Sequence, residues 1–486
     1  MCHLIGREHL HAFFLAALLS AMTSVQAAEI SKTAERAREL GRQADQRRPD
    51  DQLLIKLFNR PLSIGGELKT EFDYRKDFEL DASKRDDKLE AKGRIQVEAF
   101  YQWNDRLFLF AEAKASFENE VYAEFDDRER GAELERGQSW LYYSFDDNAR
   151  FAMQLGRQNF RDKREWWWDS ELDALRFHYY GKKWSAQMAV ASELAATSNQ
   201  SDIKPEEKDI VFFLSQITWE WNKKNQLSLF SAVQRDRSDT HQPGIIINER
   251  DEDDVDANLN WLGVRALGRV KLPGHGKLHY WADFAELRGT EKLIDFDNFD
   301  GRQRIVDNVE ERRVKAWAYD LGLTWQADTK YLPRITIGQA VGSGGESADG
   351  SETRDFRQTG LHDNDVRLTG VNRFSFYGEA FRPELSNVRI NTLAFGLALY
   401  SNSSVEFIFH DYRQRSRSRN RIGRIGKRPD GIHKDLGREL DIVLGIEESE
   451  KFEFQAVIAG FKAGRALKNG SSTWAFRVEL GAKYNF

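Results

Sequence analysis

The sequence predicts an all-β chain, a transmembrane antiparallel β-barrel of about 18 strands, and three observations predict it. Hydropathy alternates with period two along segments of ~9–13 residues, the length of a tilted membrane strand. Connections between these segments alternate between short turns and long charged loops, the asymmetry of an outer-membrane barrel. Composition narrows the choice further. With 31% charged and 40% apolar residues, the chain lacks helical spans of ~20 nearly uncharged residues. After the first 28 residues the longest uncharged run is Ile390–Val405, 16 long and interrupted by Asn, Thr, Gly and Ser. The 32 Phe, 14 Tyr and 13 Trp exclude a disordered chain, which would leave them unburied. The 72 basic and 78 acidic residues nearly cancel, so net charge carries no nucleic-acid signal.

Residues 1–27 read as a secretory signal peptide: Arg7 precedes the apolar core Ala12–Met22, and Val25-Gln26-Ala27 has the spacing of a cleavage site. The single cysteine, Cys2, leaves with it, which excludes a disulfide framework and Cys-ligated metal. Residues 28–61 read as a periplasmic N-terminal segment. Within it Ala28–Arg48 is helix-forming, polar nearly all round and expected to be exposed. Residues 62–486 read as the barrel. In its last strand Trp474, Phe476, Val478, Leu480, Ala482, Tyr484 and Phe486 form one face, and Ala475, Arg477, Glu479, Gly481, Lys483 and Asn485 the other. The chain ends on Phe486, as bacterial outer-membrane barrels usually do. Among the other strands, the alternation places three near 107–116, 276–287 and 313–326. Short turns such as Asn104-Asp105 and Asp146–Asn148 are expected in the periplasm, and 117–135, 288–312, 342–387 and 414–437 as external loops. An even strand count leaves both termini periplasmic, and a barrel of this size encloses water.

Two blocks carry a family resemblance. They are Gln358–Asn387, with the core GEAFRPELSN, and LGRQNFRDKREWWWDSELDALRF at Leu155–Phe177. PEEKD at 205–209, YDLGLTW at 319–325 and GRELDIVL at 437–444 follow in matching order. In these the chain resembles the bacterial alginate-export outer-membrane porins along roughly residues 62–486. The resemblance implies an 18-stranded barrel whose narrow, arginine-lined pore passes an anionic polyuronate. It implies pore roles for Lys69, Asp169 and Arg373. At other family arginines this chain departs: Gln96 has Arg94 two residues away, Asn159 lies between Arg157 and Arg161, Asp365 has Arg367 two residues on, Gly137 is beside Arg136, and Gln455 stands at another. The substrate-pore candidates are therefore Lys69, Arg94, Gln96, Arg157, Asn159, Asp169, Arg367, Arg373 and Gln455. A column of fixed cations suits such a polymer, since guanidinium grips a carboxylate bidentately. Transport needs each site weak enough to release, and interspersed acids serve that end.

Other features carry less. Arg413–Arg428 forms a basic stretch that reads either as a polysaccharide or lipopolysaccharide contact or, more simply, as a solvated loop. Trp166-Trp167-Trp168 reads equally as a sugar-stacking mouth or as loop packing. Glu249–Asp254 lacks EF-hand spacing and reads as a solvated acidic loop, and Gly342–Gly345 as a flexible loop. No HExxH or GxSxG motif occurs, so no enzyme, metal or cofactor is expected. The expected location is the outer membrane of a Gram-negative bacterium. The expected role is export of an anionic, alginate-like exopolysaccharide, with a diffusion porin for small anionic solutes as the alternative. The expected partners are that polymer, outer-membrane lipid and lipopolysaccharide, and a periplasmic export or scaffold protein; nucleic acid is not among them.

Overall fold

A computed structural model of the chain describes residues 32–41, 52–81, 87–123, 130–199, 202–238, 242–467 and 473–486. The expected signal peptide lies outside them. Eighteen strands run in chain order, each antiparallel to the next: β1 (Arg60–Lys76), β2 (Lys88–Gln102), β3 (Leu107–Ala123), β4 (Arg130–Ser144), β5 (Phe151–Arg161), β6 (Asp169–Tyr180), β7 (Trp184–Ser192), β8 (Ile210–Asn222) and β9 (Asn225–Asp236) form the first half. The second half is β10 (Val255–Leu272), β11 (Gly276–Asn298), β12 (Gln303–Gln326), β13 (Arg334–Gly342), β14 (Val388–Tyr400), β15 (Ser403–Gln414), β16 (Asp435–Ile446), β17 (Phe452–Ala463) and β18 (Trp474–Asn485). The barrel closes where β18 pairs with β1, from Glu67 opposite Asn485 to Lys76 opposite Phe476. Closure gives each of these eighteen strands a neighbour on both sides, as hydrocarbon demands of a spanning sheet; a short strand, Leu53–Leu57, adds to the start of β1.

Alternation sorts the residues. Ile95, Val97, Leu321, Leu323, Ile335, Ile337, Phe407 and Phe409 are exposed on the outer, lipid-facing surface. Trp103, Trp184, Trp219, Trp221, Trp325 and Tyr400 are exposed beside the short turns, where amphipathic rings suit a membrane interface. Several strands outrun the expectation on the long-loop side. The ladder between β11 and β12 continues to Asn298 opposite Arg304, well past 276–287 and 313–326, and β3 extends to Ala123. In the β11–β12 extension charged residues fall on both faces among the apolar ones, so the alternation fades although the backbone pairing continues.

Two segments on the long-loop side fold inward, one of them the loop expected outside at 342–387. Residues 343–387, between β13 and β14, bury Phe356, Leu361, Phe374, Phe376, Tyr377, Phe381 and Leu385 in the lumen. The β5–β6 connection buries Trp166, Trp167 and Trp168 against the same core. Trp167 stacks on Phe230 at 5.0 Å, and the Trp166 Nε1–H donates to the Tyr377 hydroxyl at 2.8 Å. The tryptophans therefore pack loops, which settles their two readings. The motif GEAFRPELSN is the clamp of the larger segment. Gly378 has φ +109°, and a Cβ there would lie 2.2 Å from the Tyr412 hydroxyl, so only glycine fits. Glu379 holds Arg477 of β18 at 2.6 Å. The Ala380 and Phe381 N–H groups donate to Glu439 of β16 at 2.6 and 2.9 Å, and the Phe381 ring sits 4.8 Å from Tyr412 and 4.7 Å from Phe461.

Ion pairs anchor the smaller segment. Arg164 reaches Asp283 at 2.6 Å and Asp320 at 2.8 Å, and Arg265 joins Asp162 to Asp283.

Helix α1 (Lys32–Gly41) is also not exposed on all sides. Thr33, Ala34, Ala37 and Gly41 are buried, which corrects the expectation drawn from its polarity.

Candidate functional site

The lumen wall of β18, β1 and β2 carries charge in rows. Odd-numbered residues of β1 point inward, and each meets a cross-strand neighbour on either side. Lys69 lies opposite Arg94 of β2 and opposite Lys483 of β18. One row up, Glu71 faces Lys92; next, Asp73 faces Glu90 and Glu479; then Arg75 faces Lys88 and Arg477. Two basic rows thus bracket one mixed and one acidic row, with successive rows about 6.7 Å apart.

The rows are linked vertically. Lys69 pairs with Glu71 at 2.8 Å and Arg75 with Asp73 at 2.6 Å, while within the first row Lys483 pairs at 2.7 Å with Glu453 of β17, which lies directly opposite it. Arg477 bonds Asp73 at 2.9 Å. Arg94 is exposed to the lumen and has no ion pair among the described residues.

A cavity of about 540 Å³ runs along this wall. Its other side is built by the in-folded segment and the basic β15–β16 loop, through Asp363, Asp365, Arg367, Arg373, Arg382 and Arg424. Eleven basic and eight acidic side chains line it in all, so the cations outnumber the carboxylates.

The loop-borne charges are tuned by their surroundings. Arg382 pairs with Asp363 at 2.9 Å and Asp365 at 3.0 Å, yet burial still holds the Asp365 carboxyl above the usual carboxylate range. Glu165 is buried against Arg161 and Arg373, and burial raises its carboxyl to about 8 despite them. Arg424 has no ion pair among the described residues. Burial, then the guanidiniums of Arg382, Arg477 and Arg75, pulls it down to about 10, with Glu379 offsetting them only in part. Part of the basic stretch therefore faces the lumen and is not wholly a solvated tip: Ile422 and Ile425 are buried beside Arg424.

Of the predicted pore residues, Lys69, Arg94, Arg367, Arg373 and Gln455 line this cavity together. Arg367 reaches Glu447 at 3.2 Å. The other four lie elsewhere. Gln96 is fully buried and donates to Glu112 at 2.8 Å. Glu112 fills the space that Gly137 leaves open, where a Cβ would lie 2.3 Å from the Glu112 carboxylate. Arg157, only 4% exposed, is held by Glu193 at 2.8 Å and Glu171 at 3.6 Å. The Asn159 carbonyl accepts from Arg176 at 3.1 Å. Asp169 pairs with Arg161 at 3.4 Å and lies in a group with Glu165 and Asp363. Gln96 and Arg157 are thus buried, and each is held by an acidic side chain of the barrel.

Sequence reasoning missed Arg75, Lys92, Arg382, Arg424, Arg477 and Lys483 as lining groups. Arg477 and Lys483 were already on the wet face of the last strand, but their meeting with β1 depends on barrel closure.

The family described as alginate export matches residues 60–478. The alginate production protein AlgE of Pseudomonas aeruginosa is 30% identical over 301 residues, covering 60% of this chain and 59% of that one. The chain thus spans about six tenths of that relative's length. AlgE of Pseudomonas syringae is 23% identical over 71% of this chain and 74% of its own. Among solved structures, Pseudomonas aeruginosa OpdL has a TM-score of 0.52 at 10% identity, covering 87% of this chain and 98% of its own. Acinetobacter baumannii OccAB2 gives the same four values. These two share the fold with this chain.

Proposed function

The chain belongs to the alginate-export family of outer-membrane barrels, and from that membership we propose that it passes an anionic, alginate-like exopolysaccharide outward along the basic rows of β18, β1 and β2. One observation carries the reading: Arg94, Lys69 and Lys483 stand side by side across three strands. Like charges directly opposite one another destabilise a sheet; Glu71 and Glu453 offset two of the three, and Arg94, with no ion pair among the described residues, leaves an excess positive charge in this row. A passing carboxylate offsets that excess. The acidic row of Glu90, Asp73 and Glu479 then keeps the next basic row from becoming a trap. The reading has residues 1–27 removed on export and residues 28–59 on the periplasmic side of the barrel, with α1 packed on its inner wall near the short turns, and a periplasmic export protein delivering the polymer.

The test is a planar bilayer with a salt gradient. Wild-type protein is expected to favour anions and to be blocked by oligouronates. The double variant Lys69→Glu, Arg94→Glu should shift the reversal potential toward cations and weaken block about tenfold or more, since each charge-assisted contact is worth about 1.5–3 kcal/mol. An unchanged reversal potential would remove these residues from the path. Block by small organic acids but not by oligouronates would favour the diffusion porin.

A further inference from the structure

The inner wall of a barrel with an aqueous lumen is normally polar. Near the short turns, this wall is not. Phe100 of β2, Phe108 and Phe110 of β3, and Trp140 and Tyr142 of β4 all point inward, opposite in sense to the lipid-facing Ile95, Val97 and Phe151. Left open, they would present an aromatic patch to water. They are buried because α1 lies on them: Ala34 and Ala37 belong to the same apolar cluster, with Leu40 packed against it.

The fit is close and specific. A Cβ on Gly41 would lie 2.8 Å from the Phe110 ring. Arg36 donates to the Ala149 and Asn148 carbonyls at the Asp146–Asn148 turn, and its guanidinium lies 4.4 Å from the Tyr180 ring centroid. Arg38 lies 5.0 Å from that of Phe100. The Gln138 side chain donates to the Gly41 carbonyl at 3.4 Å. Thr33, Ala34, Ala37 and Gly41, all small, make the contact face. Larger residues would hold the helix away from the wall. The other side of α1 turns Glu39 toward a second lumen cavity of about 500 Å³.

A ten-residue helix is marginal alone in water, so the aromatic wall is what keeps α1 in place. Its attachments differ from those of the in-folded loops. Arg164, Arg265 and Glu379 make buried ion pairs with the barrel, whereas Arg36 donates to backbone carbonyls and lies over a ring face.

From these observations we propose that α1 is a plug in the periplasmic mouth of the barrel, and that it sets the largest cross-section a solute can have on entering. The proposal rests on the export reading only for which solute that is. The plug would admit an extended single chain past its side and exclude bulkier solutes.

The test compares the full chain, a deletion of Lys32–Gly41, and Ala37→Glu, which sets a carboxylate into the aromatic contact without shortening the chain. Single-channel conductance and exclusion of neutral polyethylene glycols of graded size are read from each. Both variants are expected to conduct at least twice as well as the full chain and to admit larger polymers. If the deletion fails to assemble, Ala37→Glu decides alone. Conductance and size cut-off equal to the full chain's would overturn the plug. Oligouronate block is measured alongside. A wider pore that no oligouronate blocks leaves the plug standing and removes the export reading, and an unchanged pore that is still blocked does the reverse.

Discussion

On the β3–β6 side of the lumen, Lys114, Arg136 and Arg157 meet Glu112, Glu171, Asp173 and the following Glu193 in a closed network, with Lys114 bridging Glu112 and Glu171 at 3.0 and 2.7 Å and Arg136 bridging Asp173 and Glu193 at 2.8 and 3.2 Å. On the β18–β1–β2 side, Arg94, Lys69 and Lys483 stand beside one another instead. Both walls use arginine and lysine on inward faces. In the first every cation is held by two or more carboxylates; in the second Arg94 has no ion pair among the described residues, and the proposed path rests on that difference. An inward arginine is therefore a pore group only after its cross-strand neighbours are counted.

Arg157→Ala tests the difference most severely. It would leave four carboxylates to two cations in a buried setting. Breaking a buried pair in this way costs about 3–5 kcal/mol. Urea unfolding of the detergent-solubilised barrel should register that loss, while the reversal potential stays at the wild-type value. A stable protein with altered selectivity would place Arg157 in the permeation path after all.

This contrast also explains what was legible in the sequence. Period two in β1, β2 and β18 marked Lys69, Arg94, Arg477 and Lys483 as inward, and the alternation yielded the barrel itself. Position along a strand says nothing about the residue opposite. That Arg157 faces Asp173 and that Lys69 faces Lys483 depends on register and closure, which couple residues more than 400 positions apart. The burial of α1 was illegible for a related reason: its contact face is made of Thr, Ala and Gly, so its hydropathy is that of a solvated helix. GEAFRPELSN stood out as a motif, but its work is holding a loop inside the lumen through Glu439 and Arg477. Of its charged residues only Arg382 lines the cavity.

Gln96→Arg sharpens the contrast with a smaller effect. The substitution puts a guanidinium where the related porins are expected to have one, but here the site is full. Gln96 is 0% exposed and bonded to Glu112, so the larger side chain would overpack the wall at about 1–3 kcal/mol. Its charge would be taken up by Glu112. The expected result is a lower urea midpoint with unchanged anion selectivity. A gain in selectivity would mean that the β2–β3 wall opens to the pore.

The smallest expected effect is a pH dependence seated between the two walls, at Glu165. Its carboxyl faces Arg161 and Arg373, both of which line the permeation cavity. Burial raises the carboxyl from the ordinary value of 4.5 to about 8, so proton uptake begins well above the usual carboxylate range. At pH 9 the carboxylate is charged and offsets the two guanidiniums. As pH falls through about 8 it becomes neutral, the arginines keep their charge, and the local field on the cavity turns more positive. Anion selectivity should therefore rise as pH falls from 9 to 7, by less than the change from Lys69→Glu with Arg94→Glu. Glu165→Gln should hold the selectivity at its low-pH value throughout. A pH response that persists in Glu165→Gln would assign it to other groups, and a flat response in the wild type would mean that Arg161 and Arg373 stay compensated across the range.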